Sequence, residues 1–588
     1  MGIQPGLKLS RRHVVLALSL IAFFVVGMFA WQAWTASRSL LDARQDAESV
    51  QKRVKAGDFD GANRALAELR SKTSKAHDST DGLLWDLGKH IPYFGRNIGA
   101  VQTVSEVLDT ATRVNAPIAL ELSKAVDGGA FRPVKGQIDL AQIQRLTPQV
   151  DRAATSIEKA SADLGGIRSG KLVFPFNDLV GDLKAEVERA RAASTATATA
   201  FDLMPQMLGS SEPRDYLLII QNPAELRSTG GLPGSLAVLH ADKGRISMGW
   251  QGSAGDVNPF SGPVVKLPKD TLAQYGPTMA TDFRDINFTP DFPEAAQIAK
   301  AMLAQKLKIK VDGVVSVDPL ALAGLMRGTG PIDAGHGVVL TSDNVVPVLL
   351  NQTYQSIQDP AAQDTFFEKV ARKIFDAVTN GQGSQQLAIT GLADATNQHR
   401  VQLWSDRAAE ESRIAGSAIG ASISVRSGRN PQVGMYINDS TAGKMDFYLQ
   451  YRSSVIAVDC RRHGAQDLRA SVALTSTMPT DYKELSEFIT GTGAFAPKGT
   501  IAFNLRFYAP YGGEITGLHV NGAPHSATAD LHDGRQVAFL PVALKPQQQI
   551  VVTADIRTAP GQDRDGTFSF TPGMVPTKNG VTFASACD

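Results

Sequence analysis

Between two apolar runs, 217-LLII-220 and 235-SLAVL-239, the chain places Gln221, Asn222, Glu225, Arg227, Gly230 and Gly231. The guanidinium of Arg227 is a fixed fork of donors that suits a phosphate or a carboxylate. Paired glycines let a ligand approach the backbone closely and present N–H groups to an anion. The same residues also suit a turn in which Glu225 and Arg227 pair with each other or with the scaffold. A second cluster, 282-DFRDINFTPDFPEA-295, packs Asp282, Arg284, Asp285, Asn287 and Asp291 among Phe283, Ile286 and Phe288. Carboxylates and an amide so placed could hold a hard divalent cation such as Mg2+, which would in turn bind diphosphate. The competing reading is a helix cap at Asp291 and a local ion pair from Arg284.

The remaining chemistry is sparse. There is no HExxH, GxSxG, Gly-Lys-Ser/Thr or CxxC motif, which removes most of the case for a zincin, an α/β-hydrolase or a nucleotide triphosphatase. The two cysteines, Cys460 and Cys587, either form a disulfide or stand as two thiols. Cys460 with His463 supplies only two ligands, too few for a zinc site.

Different grammars along the chain must position these residues. Residues 35–205 read as helices: apolar positions recur at three- and four-residue spacing, and Asp58 offers a cap after Gly57. From 206 to 430, strand-like runs alternate with helical ones such as 293-PEAAQIAKAMLAQKL-307, as expected of a central α/β/α sandwich around a mixed sheet. From 431 to 588, short alternating segments between Gly, Pro, Asp and Asn turns fit an immunoglobulin-like β-sandwich of about seven strands.

The N-terminus sets the address. Val14–Trp34 carries no charged side chain, and as a helix it would extend about 31 Å, enough to span a hydrocarbon core. Lys8, Arg11 and Arg12 precede it, and Trp31 and Trp34 sit where an interfacial belt belongs. The expectation is a single transmembrane helix at 14–34, a cytoplasmic tail at 1–13 and an extracytoplasmic bulk; the competing reading is a cleaved signal peptide, against which stand the length of the run and its tryptophan-containing end. With 59 basic against 58 acidic residues the formal charge is +1, which gives no support to nucleic-acid binding.

The strings LLIIQNPAELRSTGGLPGS, FRDINFTPDFPEAAQIA, VDGVVSVDPLALAGLMRGTGPI, HRVQLWS and 437-INDSTAGKMDFYL-449 resemble the bacterial domain-of-unknown-function family 4012. That resemblance implies a single-pass envelope protein associated with surface polysaccharide. More distantly, YLLIIQNPAELR and VDGVVSVDPLALAGLMRGTGPID resemble the LytR–CpsA–Psr glycopolymer ligases, with Arg227 in the place of a loop arginine. The ligases' Arg-Ser-Asp-Thr and Ile-Pro-Arg-Asp motifs are absent; 228-STGGLPGS-235 and MGWQGSAGD stand instead.

The resemblance implies cell-envelope glycopolymer assembly or attachment on a polyprenyl-diphosphate-linked glycan. Arg227, Arg284 and Asp285 would act in transfer, Asp282 and Asp291 would hold Mg2+, and Gln221, Asn222, Glu225, Gly230, Gly231 and Asn287 would bind ligand. The alternative is a non-catalytic envelope scaffold or a glycan- or protein-binding protein. The two readings divide on whether Arg227 and Asp285 face one anionic pocket.

Overall fold

The computed structural model describes residues 46–588 except 92–94, 169–171, 173–175, 336, 424–427, 527, 575–581 and 588. The chain forms two compact units, one of residues 1–130 and 144–201, the other of residues 131–143 and 202–588.

The first unit is helical. Asp58 caps helix α1 (Phe59–Thr80) by accepting the Gly61 N–H, and Ala62, Leu66 and Leu69 of its apolar stripe pack with Leu120. Helix α2 (Gly95–Thr110) is joined to α3 (Ala116–Asp127) by a π-helical turn over Ala111–Asn115, where the Thr73 and Thr112 hydroxyls meet at 2.7 Å.

The second unit begins with strands β1 (Arg214–Asn222), β2 (Leu232–Asp242), β3 (Arg245–Ser253) and β4 (Gly313–Val317). A small hairpin, β5 (Ile332–Gly335) and β6 (Val338–Leu340), and strand β7 (Val401–Ser405) follow. The main sheet has the order β3-β2-β1-β4-β7; only β1 and β4 run parallel. Helix α4 (Phe292–Leu307) supplies the return to β4 that a parallel pair demands. It starts at an Asp291 cap with Pro293 in its first turn, and buries Ile298, Met302 and Leu303 with Leu217, Ile219, Leu236 and Val314. Strand alternation sends Val317 and Val401 to the opposite face, where they pack with Ala321 of α5 (Pro319–Thr329) and Ala395 of α6 (Gln385–Asn397).

The C-terminal part holds β8 (Gln432–Asp439), β9 (Leu449–Cys460), β10 (Gln466–Ser476), β11 (Ile501–Tyr508), β12 (Glu514–Val520) and β13 (Ala523–Pro524). It continues with β14 (Thr528–His532), β15 (Arg535–Leu544), β16 (Gln549–Arg557), β17 (Gly566–Phe570) and β18 (Thr582–Phe583). They form two sheets, β13-β12-β16-β10-β9 and β14-β15-β11-β8-β17-β18, whose inner faces bury Met435, Ile437, Val472, Leu474, Phe503, Leu505 and Val552. The cysteines at the ends of β9 and the chain are joined in a Cys460–Cys587 disulfide.

The expected architecture is thus corrected. In place of an α/β/α sandwich followed by an immunoglobulin-like sandwich of seven strands, the described residues after the helical unit form a mixed α/β multidomain protein with several sheets. Among the described residues no helix is long and apolar enough to cross a membrane, and the run Val14–Trp34 lies outside them. The physical reason for the extra strands is length and composition: β13, β14 and β18 span two to five residues, and β12, EITGLHV, has only a weak apolar alternation.

Candidate functional site

The β1–β2 connection, residues 223–231, lies at the seam between the α/β part of the second unit and its β-rich part. Leu226 is 1% exposed and belongs to the core of the β-rich part, packed with β8 and its neighbours. The backbone around it is fully engaged. The Leu226 N–H donates to Asp446 Oδ2 at 2.8 Å, and its carbonyl accepts the Asp439 N–H at 2.9 Å. The Asp446 N–H donates to the Ala224 carbonyl at 3.1 Å, and the Ser228 N–H to Asn438 Oδ1 at 2.8 Å. The Ser228 carbonyl accepts from the Thr571 hydroxyl at 3.0 Å. The N–H groups of Leu226, Ser228, Gly230 and Gly231 are thus given to protein acceptors and are not offered to an anion.

The charged side chains are buried with it. Arg227 is 5% exposed; it donates to the Leu226 carbonyl at 3.0 Å, to Glu225 Oε1 at 3.2 Å and to Asp285 Oδ1 at 3.5 Å, and stacks 4.8 Å from the Phe288 ring. Lys444 Nζ reaches Glu225 Oε2 at 2.5 Å and lies over the Tyr354 ring. Burial alone would raise Glu225, but Lys444 and Arg227 outweigh it and hold its carboxyl below the usual range. Burial likewise opposes the charge of Arg227, and Glu225 and Asp285 restore it. Asp285 is raised by burial against the pull of Arg227.

A layer beneath, Gln221 spans from β1 to its neighbours. Its amide donates to Ser316 Oγ at 2.6 Å and Gln402 Oε1 at 3.2 Å, and its carbonyl oxygen accepts the Gly231 N–H at 2.6 Å. Asn287 Nδ2 donates to the Gly231 carbonyl at 2.8 Å and to Thr229 Oγ1 at 2.9 Å. Asn222 donates to Tyr354 OH at 2.7 Å. The glycines serve close packing: a Cβ on Gly231 would lie 2.2 Å from the Asn222 carbonyl carbon, and Gly230 has φ +145°.

Arg227, Glu225 and Asp285 therefore meet, and Gln221, Asn287, Gly230 and Gly231 meet around them. The cation set does not assemble. Asp282 grips Arg284 in a two-point pair (Nε–Oδ1 2.9 Å, terminal nitrogen–Oδ2 2.5 Å), and its Oδ1 also takes the Asn258 amide at 2.6 Å. Asp291 spends one oxygen on the Glu294 N–H at 3.2 Å and the other on the Ile423 N–H at 3.0 Å, and burial pushes its carboxyl up to about 7. Among the described residues no group of three His, Cys, Asp or Glu side chains could hold a metal ion. Arg284 itself is more than half exposed. A cavity of about 480 Å³ lies elsewhere, between α4 and the end of β7, lined by Gln297, Lys300, Trp404, Asp406 and Glu411.

Sequence reasoning missed Asn438, Asp439, Lys444 and Asp446, which supply the far side of the seam. Their signal was available: 438-NDSTAGKMD-446 crowds two acids and one base against strands that are otherwise apolar.

The family model described as "Protein of unknown function (DUF4012)" matches residues 211–354, a span that includes β1, the seam loop and α4. No curated protein matches the chain. A solved structure titled as the transcriptional regulator yvhJ from Bacillus subtilis is similar at 13% identity and a TM-score of 0.21, over 35% of this chain and 77% of that chain.

Proposed function

We propose that the chain is a non-catalytic envelope scaffold or binding protein; its residues 211–354 match a family model of unknown function, and the geometry supplies the reading. Its signature loop is a structural clamp. The observation that carries this is the burial of Arg227: at 5% exposure its two terminal nitrogens are held by Glu225, Asp285 and a backbone carbonyl, and its Nε, which has no hydrogen-bond partner among the described residues, is buried with them away from any approaching phosphate. The clamp makes the α/β and β-rich parts one body, which suits a protein that must hold two surfaces in fixed relation.

An extracytoplasmic address is supported by the Cys460–Cys587 disulfide, which persists in oxidising compartments, and by the charge-free run at 14–34. In this reading the protein contributes to glycopolymer assembly by binding or positioning, and the ligase chemistry is not carried by the Arg227 cluster. The test is to supply the full chain with a polyprenyl-diphosphate-linked glycan, an acceptor and Mg2+. The scaffold reading expects no transfer; turnover that disappears on Arg227→Ala while the fold persists would overturn it.

A further inference from the structure

The seam holds more acid than base. Glu225, Asp285, Asp439 and Asp446 share it with Arg227 and Lys444, and the geometry allots both cations to Glu225 and Asp285. Asp439 is satisfied otherwise: its oxygens accept the Thr441 hydroxyl at 2.6 Å, the Thr441 N–H at 2.9 Å and the Ala442 N–H at 3.2 Å. Asp446 is different. It is 1% exposed, its Oδ2 takes the Leu226 N–H, and its Oδ1 has no hydrogen-bond partner among the described residues.

The groups that face it are Asp439 from β8, Tyr451 from β9, and Glu225 and Arg227 from the loop; Lys444, from its own segment, is bound to Glu225. Asp285 and Tyr354 lie one contact further out, on Arg227 and Lys444. A carboxylate in that position would be a buried charge beside two other acids, with one oxygen meeting no donor. A carboxyl in its neutral form carries no such charge and still accepts the Leu226 N–H.

We propose that Asp446 is a proton-dependent latch: while neutral it holds Leu226 in the β-rich core, and loss of its proton loosens the seam between the two parts of this unit. Burial, with the charge of Asp439 next, pushes the Asp446 carboxyl well above the usual range, and burial with Glu225 pushes Asp439 up to about 6. A carboxyl whose pKa is raised in the closed seam binds more protons closed than open. The closed form is therefore favoured in acid, and it loses that advantage as pH climbs from the ordinary value of 3.8 until Asp446 ionises in place. This inference needs only the seam's geometry and goes beyond the scaffold reading, so either can fail alone.

The experiment is hydrogen exchange at the Leu226 and Ser228 amides of the full chain from pH 5 to 8, corrected for the pH dependence of intrinsic exchange. In the wild type the opening constant rises with pH, by up to about tenfold per unit for each proton released. Asp446→Asn keeps an acceptor for the Leu226 N–H and cannot ionise, so its slope should be lower by one proton's worth. Equal slopes in the two proteins would overturn the latch. Should that variant not fold, Asp439→Asn decides, because it removes the other seam carboxyl that titrates in this window: a rise that remains supports the latch and a flat profile overturns it.

Discussion

Replacing Arg227 by alanine separates a clamp from a catalyst. The side chain is buried between Glu225 at 3.2 Å and Asp285 at 3.5 Å, so its removal leaves acids without their counter-ion. Breaking a buried pair in this way costs about 3–5 kcal/mol. The lower end applies here, because Lys444 still covers Glu225 at 2.5 Å and the stranded Asp285, with a side chain 19% exposed, can take a proton. The unit that contains the seam has about 400 residues, and at roughly 2.1 cal/mol/K per residue its unfolding entropy is about 0.8 kcal/mol/K. A loss of about 3 kcal/mol then lowers its melting temperature by about 4 °C. Differential scanning calorimetry of the full chain reads this. Arg284→Ala is the control: its pair with Asp282 is more than half exposed on the arginine side and contributes about 1 kcal/mol or less. Should Arg227→Ala melt within about 1 °C of the wild type, the clamp reasoning fails and a ligand-facing role returns.

Leu226→Ala should cost about 2–5 kcal/mol, because it empties a position in the β-rich core; chemical denaturation measures it. Gly231→Ala should give little folded protein in a thermal-shift screen, since the new Cβ meets the Asn222 backbone at 2.2 Å. Reducing the Cys460–Cys587 disulfide, which closes a loop of 127 residues, should destabilise the β-rich part by about 2–5 kcal/mol, seen as a lower melting temperature in dithiothreitol. Asp291, pushed up to about 7 by burial, contributes stability that is full below its ordinary 3.8 and is lost as pH rises through about 7. Asp291→Asn should therefore flatten the stability profile between pH 4 and 7, and an unchanged profile would count against it.

Much of this was legible in the sequence, for reasons that differ by residue. The strand at Leu217–Ile220 and the helix over residues 293–307 announce themselves by apolar periodicity and by the Asp291–Pro293 start, all of them local signals. That Arg227 meets Asp285 was expressible as an expectation because an arginine–glycine loop and an acid–arginine cluster occur in one α/β segment; the structure brings them together from the end of β1 and a 3-10 turn over Phe283–Asp285. Burial was not legible. It depends on residues 437–446, more than two hundred positions downstream, which close over the loop and turn an apparent anion site into an interior. The local roles of Asp282 and Asp291 were not legible either: their oxygens are spent on Arg284, Asn258 and backbone N–H groups, and capping chemistry uses the same residue types as coordination. Strand β3, ISMGWQGS in its body, was hidden by glycine and polarity, as edge strands often are.

Soaking crystals of the full second unit's fold, within the intact chain, with a short-chain polyprenyl diphosphate and Mg2+ bears most directly on the clamp. The account predicts that the Arg227 guanidinium stays on Glu225 and Asp285, with no ligand density between the two parts. Diphosphate oxygens on Arg227, with Glu225 or Asp285 swung away, would contradict it.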